Sequence, residues 1–118
     1  MVSRVIRSNI VNLQRIVNSS PKDARKILRH ASGHLITAIR ECVINVLNGI
    51  VHLKPEQLEK IRKFKAKLRK IRDKKTGKAE QKKIIQTGGN FLIPLITAVL
   101  PHVIGGIASL VKNKKRIN

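Results

Sequence analysis

The chain has no tryptophan or tyrosine, and Phe64 and Phe91 are the only aromatic residues among its 118. Modules that bind single-stranded nucleic acid by stacking bases use aromatic platforms, and two rings are too few for such a surface. Acidic residues are also scarce, with six in total. The single cysteine, Cys42, excludes a disulfide within the chain and lies in an apolar stretch, where cysteine packs as a small hydrophobe.

No set of side chains suited to catalysis or metal binding is apparent. Most of the acids lie among lysines and arginines and are expected to be their ion-pair partners. No nucleophile, base and acid can be assembled from them. There is no glycine loop for phosphate binding. His30 and His34 have the four-residue spacing of helical metal ligands, but Ser32-Gly33 predicts a helix break between them. We therefore expect no enzymatic activity, no cofactor and no metal site.

Lysine and arginine dominate the charge, with 26 against six acids and a formal net charge of +20. Such a chain repels itself when folded, and a polyanion relieves the repulsion. Nucleic acid carries negative charge most densely and would be bound through its phosphates with little sequence preference. An anionic membrane is the alternative partner. A solubilising excess of charge is the alternative without a partner.

The first 19 residues are predicted to form an amphipathic helix, because apolar residues recur at helical spacing with arginines between them. An arginine-bearing start without acids is also typical of a mitochondrial presequence and of basic arms that bind nucleic acid. Ser20-Pro21 begins the next helix, with serine as the cap, proline in the first turn and Asp23 as the acid of a capping box. This helix is predicted to end near His30.

Residues 34–47 are predicted to form the most buried helix, and Gly49 to end it. Its apolar face consists of Leu35, Ile39, Cys42, Val43, Val46 and Leu47. Its polar face consists of Thr37, Arg40, Glu41, Asn45 and Asn48.

A densely basic helix is predicted to begin at Lys54-Pro55 and to continue to Lys75, with a shorter helix over residues 79–86 after a break. Its narrow apolar stripe consists of Leu58, Ile61, Phe64, Leu68 and Ile71. Cations that recur every turn can follow a phosphate backbone without reading bases. A solvated face whose lysine stems cover the core is the structural alternative. The predicted nucleic-acid-binding residues are Lys60, Arg62, Lys63, Lys67, Arg69, Lys70, Arg72, Lys74 and Lys75.

Residues 90–111 carry no formally charged side chain. As a straight helix they would span about 33 Å, which is enough to cross a bilayer core. Pro94, Pro101 and Gly105-Gly106 argue against an unbroken helix, and His102 is unfavourable in lipid. Three interpretations remain open: a membrane-spanning or membrane-disturbing segment, a tail for oligomerisation or capsid docking, and part of the protein's own core.

Gly88 and Gly89 stand where the basic region meets this apolar segment, and two glycines predict a flexible joint accessible to a protease. The stretch from Gly88-Gly89 to Ile96, continuing to Ser109, resembles the C-terminal part of the precursor of the small adenoviral core peptide. Gln86-Thr87-Gly88-Gly89 resembles the recognition pattern of adenovirus-type cysteine proteases. That resemblance implies cleavage between Gly89 and Asn90, with Gln86 and Gly88 as recognition residues.

The wider layout resembles short proteins encoded by Polinton (Maverick) elements and adintoviruses. The matching pieces are residues 20–30, residues 41–49 and the basic helix from Lys54, so the resemblance covers roughly residues 20–111. It implies a minor capsid or core protein of the virion, present in the host nucleus during assembly. The basic region here is predicted to be a folded helical domain, whereas the adenoviral peptide is a short arginine-rich strip. The resemblance therefore implies the role of a minor virion protein more directly than it implies DNA condensation.

We therefore expect an all-α protein, a small bundle of three to four helices followed by an apolar, Pro/Gly-interrupted C-terminal tail. By composition the chain divides into an amphipathic helix (1–19), a basic helical domain (20–86) and an apolar tail with a basic end (87–118). The expected partners are nucleic acid, with double-stranded DNA foremost, and a viral-type cysteine protease. A membrane or capsid proteins are the alternative partners of residues 90–111. A homo-oligomer is a further expectation, because a thin core gives little stability to a single chain.

Overall fold

A computed structural model of the chain describes the backbone of residues 4–49 and 51–117 and the side chains of residues 4–49 and 51–103. The protein is all-α, and no strand occurs within those backbone ranges. Its eight described helices, rather than the three or four expected, are α1 Arg4–Ser8, α2 Ile10–Asn18, α3 Pro21–Arg29, α4 Gly33–Leu47, α5 Pro55–Arg62, α6 Lys65–Arg72, α7 Lys78–Thr87 and α8 Gly89–Ile117. Two of the extra helices arise because two predicted helices, those of residues 1–19 and 54–75, are each broken into two.

The predicted opening helix is broken at Asn9, into α1 and α2. Asn9 is buried, and its side-chain amide donates to the carbonyl of Val5 at 2.9 Å. Its backbone amide bonds to the carbonyl of Ile6, three residues back, which tightens the turn and ends α1. The break lets α1 pack against α4 while α2 packs against α3 and α8.

Three predicted helix boundaries are confirmed. Ser20 Oγ accepts a hydrogen bond from the amide of Asp23 at 3.2 Å, and Pro21 occupies the first helical position of α3. Ser32 Oγ accepts from the amide of Leu35 at 3.3 Å and starts α4. After α4, Gly49 has a φ of 72°, a left-handed conformation that glycine adopts without steric cost.

Helix α4 buries the apolar face that its periodicity predicts, including Leu35, Ile39 and Val43. The placement of Asn45 on the exposed polar face was wrong, because Asn45 is buried. The chain after α4 folds back over this residue, and the amide of Val51 bonds to the carbonyl of Asn45 at 3.2 Å.

The predicted long basic helix is broken into α5 and α6 at Lys63 and Phe64. Phe64 has a φ of −105° and a ψ of 14°, outside helical geometry, and its amide bonds to the carbonyl of Ile61. The apolar stripe is buried at Ile61, Leu68 and Ile71, but Leu58 remains 50% exposed. The break lets the two helices pack against different neighbours. Helix α5 packs against α8, whereas α6 packs against α4 and α7.

The charge-free segment forms the centre of the fold. Helix α8 contacts α2, α3, α4, α5 and α7. Its buried residues are Phe91, Leu92, Leu95, Ile96, Ala98, Val99, Leu100 and Val103. Between residues 90 and 103, this segment is therefore part of the protein's own core, one of the three alternatives that the sequence left open.

The prediction that proline interrupts this segment was wrong, because Pro94 and Pro101 both lie inside α8. A proline has no amide hydrogen, so the carbonyls of Asn90 and Thr97 lose their usual helical donors. Each loss costs about 3 kcal/mol or more in an ordinary helix interior. Burial of the large apolar side chains along α8 offsets this cost, since each contributes about 1.5–3 kcal/mol.

One continuous hydrophobic core unites the three compositional segments. It includes Ile6 and Leu13 from the first segment, Leu68 from the basic region and Leu95 and Val99 from α8. The boundaries near residues 19 and 86 therefore mark changes of composition within a single packed core.

Candidate nucleic-acid interface

The predicted phosphate-binding residues lie on α5, on α6, at the break between them (Lys63) and in the connection that follows α6. Eight of the nine are exposed, and Arg72 is half-buried. Because α6 ends at Arg72, Lys74 and Lys75 belong to the α6–α7 connection and not to the helix. The single row of cations expected along one straight helix is therefore divided among two short helices and a loop.

These cations are almost unpaired within the described part of the chain. Glu59 lies 4.0 Å from Arg62, and Asp73 lies 3.3 Å from Arg72. Both members of the first pair are more than three-quarters exposed, at 79% and 77%, and exposed ion pairs contribute about 0–1 kcal/mol. The surface thus presents positive charge that the protein's own acids leave largely uncompensated.

The break between α5 and α6 is attached to the core through stacked aromatic rings. The ring of Phe64 stacks on that of Phe91 in α8, with centroids 4.9 Å apart and an interplanar angle of 24°. Lys67 Nζ lies 5.9 Å from the centroid of the Phe91 ring, within cation–π range. Both phenylalanines of the chain therefore serve to position the basic helices on α8.

The C-terminal end of α6 is fixed by Arg40 of α4. Arg40 Nε donates to the carbonyl of Ile71 at 3.1 Å, and Arg40 Nη2 donates to the carbonyl of Arg72 at 2.9 Å. These carbonyls belong to the last turn of α6, which has no intrahelical donors for them. Gln81 of α7 donates in turn to the carbonyl of Asp73 at 2.9 Å. The two bonding networks hold α6, its following loop and α7 in a fixed arrangement.

A second group of basic residues, which shares only Lys74 with the predicted set, was missed by the sequence analysis. A surface cleft of about 870 Å³ lies between α4 and α7, and its cations are Arg40, Lys74, Lys78 and Lys82. The four-residue spacing of Lys78 and Lys82 places both on one side of α7 and could have been noticed. Their approach to the start of α4 follows from tertiary packing and leaves no signal in sequence spacing.

An apolar groove of about 530 Å³ separates the end of α4 from α5 and α6. The exposed Leu58 lines it together with Val46, Leu47 and Pro55. The charged residues Glu59, Arg62 and Lys65 also line it.

The predicted protease site differs from the accessible joint that was expected. Gly88 and Gly89 are buried, and α7 meets α8 there at an angle of 87°. A Cβ atom on Gly88 would lie 2.7 Å from both the Ile84 carbonyl oxygen and Phe91 Cζ. The expectation of a flexible, accessible joint was therefore wrong, because the close approach of two helices requires glycine here.

Neighbouring residues of this predicted site are more open. Asn90 is exposed, and Gln86 is half-buried with its side-chain amide donating to the carbonyl of Arg29 at 2.9 Å. Cleavage between Gly89 and Asn90 remains a prediction, and in this fold it requires the α7–α8 corner to open.

The side chains of the described residues do not cluster into a metal site. No group of three or more histidine, cysteine or acidic side chains lies close enough together there to hold a metal ion. His30 is the C-cap of α3 and His34 is the second residue of α4, so the predicted break between them is confirmed. Both histidines are exposed. No single described helix has the length and apolarity of a membrane span; α7 with residues 89–103 has them jointly, across the 87° bend.

Comparisons with family models, curated proteins and solved structures yield no match to this chain.

Proposed function

We propose that the protein is a non-enzymatic minor virion or core protein that binds nucleic acid through phosphate contacts made by α5, α6 and the connection that follows α6. The observation that carries the proposal is the eight exposed cations of this surface beside only two ion pairs in the described chain. Duplex DNA is the expected ligand, because closely spaced cations match its phosphate density and the chain has too few aromatic rings for base stacking.

The virion setting rests on the resemblance of residues 20–111 to proteins of adenovirus-like elements. In that setting the protein would enter the host nucleus for assembly and contact packaged DNA. A processing protease would act on it there. Duplex binding is the part of the proposal that the exposed cations support independently of this resemblance.

Duplex binding is tested by fluorescence anisotropy across a range of salt concentrations. We expect tight binding at low salt that weakens steeply as salt rises and is nearly equal for duplexes of unrelated sequence. Binding weaker than micromolar at low salt, or affinity independent of salt, would remove nucleic acid as the ligand.

A matched pair of variants locates the surface. Lys63→Gln/Lys70→Gln removes two exposed cations from the proposed interface, and Lys22→Gln/Lys26→Gln removes two exposed cations from α3. Each lost phosphate contact lowers the slope of log affinity against log salt by about 0.9, so the first variant should lose about 1.8. The α3 variant should keep most of the slope. Equal losses in both variants would show that net charge, and not this surface, determines binding.

A membrane-active virion factor that disturbs anionic bilayers is the second candidate. Its support is compositional: residues 104–116 contain apolar residues followed by four cations and no acid. The preceding apolar half, residues 90–103, packs in the core and is not free to meet lipid. Leakage of anionic liposomes should therefore be compared between the full chain and a chain ending at Val103, which retains the described core. Equal leakage, or none with the full chain, would count against this candidate.

A further inference from the structure

The cleft between α4 and α7 brings together two segments that are far apart in the sequence. The first turns of α4 form one wall, and the α6–α7 connection with α7 forms the other. Its volume of about 870 Å³ is within the range of small-ligand sites, roughly 300–1,000 Å³. The lining residues are Gly33, His34, Ile36, Thr37, Arg40, Lys74, Thr76, Lys78, Gln81 and Lys82.

The lining is strongly cationic. It contains one arginine, three lysines and one histidine, and none of its ten residues is an acid. Three acids adjoin lining residues along the chain, namely Glu41, Asp73 and Glu80, but none of them lines the cleft. Asp73 is paired with Arg72 at 3.3 Å. The four positive charges around the cleft repel one another, which raises the electrostatic energy of the fold. An anion bound within the cleft attracts all four and offsets that repulsion.

The groups that line the cleft match the requirements of phosphate. Lys78 and Lys82 lie one helical turn apart, a rise of about 6 Å, which is comparable to the spacing of successive phosphate groups. Arg40 is held in place by its two bonds to the carbonyls of Ile71 and Arg72 and needs no reordering on binding. The wall formed by α4 includes Gly33, the first residue of that helix, where the helix dipole also favours an anion.

We propose that this cleft is a binding site for a short run of phosphate groups. Three flexible lysines would contact the phosphate oxygens as mobile point charges, while the fixed Arg40 supplies positive charge at the wall. Such phosphates can belong to a nucleic-acid backbone or to a free oligophosphate. The site does not depend on duplex binding by α5 and α6, since only Lys74 is shared between the cleft and that surface.

The test uses the full chain, with inorganic tripolyphosphate as the probe in isothermal titration calorimetry. Lys78→Gln/Lys82→Gln should weaken binding at least tenfold. Lys22→Gln/Lys83→Gln makes the same change of net charge with residues outside the cleft and should weaken it less than threefold. All four lysines are exposed, so circular dichroism should show both variants folded. No binding to the parent chain, or equal losses in the two variants, would overturn the proposal.

The source of the phosphates is distinguished by repeating the salt titration of duplex binding with the cleft variant. A lower salt slope would show that the cleft holds phosphates of the nucleic acid itself. An unchanged slope, with tripolyphosphate affinity reduced, would assign the cleft to a separate oligophosphate. Because the α5–α6 variants test duplex binding separately, failure of either proposal can be recognised without the other.

Discussion

Cys42 shows how burial controls the chemistry of a single side chain. Its side chain is fully buried in α4, and burial, with a smaller contribution from the charge of Glu41, raises the pKa of the thiol to about 12. Burial acts in this direction because it disfavours the thiolate, which is the nucleophilic form. The thiol therefore packs as part of the core and is not a reactive group.

We predict that Cys42 resists alkylation by iodoacetamide at pH 8 in the folded chain and reacts readily in denaturant, as read by mass spectrometry. The stability that the neutral thiol contributes is complete below its ordinary pKa and is lost as pH rises toward about 12. Rapid labelling of the folded chain, with its circular dichroism unchanged, would contradict this burial.

Gly88 is the residue at which the backbone approach is closest. We predict that Gly88→Ala destabilises the fold by about 1–3 kcal/mol, because the added methyl group must displace backbone or the Phe91 ring. The control is Gly33→Ala, since a Cβ there has nothing within 4 Å, and its effect should stay within about 0.5 kcal/mol. Chemical denaturation measures both. Equal stability of the two variants would show that the α7–α8 corner tolerates a side chain.

At the scale of elements, the α7–α8 corner determines what proteolysis would do. We predict that an adenovirus-type protease cuts a peptide spanning residues 84–94 between Gly89 and Asn90 but cuts the folded chain slowly, because a buried bond is cleaved only after local opening. Mass spectrometry of both substrates over time checks this. Folded chain cut as fast as peptide would mean that the corner is open in solution.

Cleavage at this bond should also unfold the protein. The N-terminal piece loses the buried side chains of Phe91, Leu95 and Val99 against which α2, α3 and α5 pack. We therefore expect a chain ending at Gly89 to show no cooperative thermal transition, whereas a chain ending at Val103 retains one. A folded chain ending at Gly89 would contradict the central position of α8.

At the scale of the whole molecule, net charge opposes folding. The chain has a net charge of +20, and the described residues form only two ion pairs. Repulsion between like charges therefore exceeds the attraction between opposite charges, and added salt screens mainly the repulsion. We predict that the melting temperature rises with sodium chloride, and rises further with sulfate at equal ionic strength. A melting temperature that falls with added salt would show that attractive pairs dominate.

Local signals in the sequence predicted much of the architecture. The all-helical fold, the cap at Ser20, the break at Ser32-Gly33 and the helix stop at Gly49 are confirmed, because each depends on short-range hydrogen bonding or backbone geometry. The breaks at Asn9 and Phe64 were missed because neither position carries the proline or glycine that marks most helix ends. Tertiary packing determines them instead.

The position of α8 could not be read from hydropathy alone. A helix that is apolar on most sides is suited equally to a bilayer and to the centre of a bundle. The distinction lies in the other helices: α2 and α5 each have one narrow apolar stripe, and both pack against α8. The exposed cations of α5 and α6 were predicted for the same reason, since charged residues opposite such a stripe face water. The α4–α7 cleft was not predicted, because its two walls come from segments that are far apart in the sequence.

The central place of α8 has a consequence for biosynthesis. A ribosome makes the chain from its N-terminus, so α1 to α7 emerge before the helix around which most of them pack. The 14 cations of residues 54–83 therefore leave the ribosome on a chain that has no completed core, close to ribosomal RNA. Early domains of larger proteins fold while synthesis continues, but this chain must wait for residues 91–103. We therefore expect its nascent form to be a basic chain without the completed core until residues 91–103 have emerged.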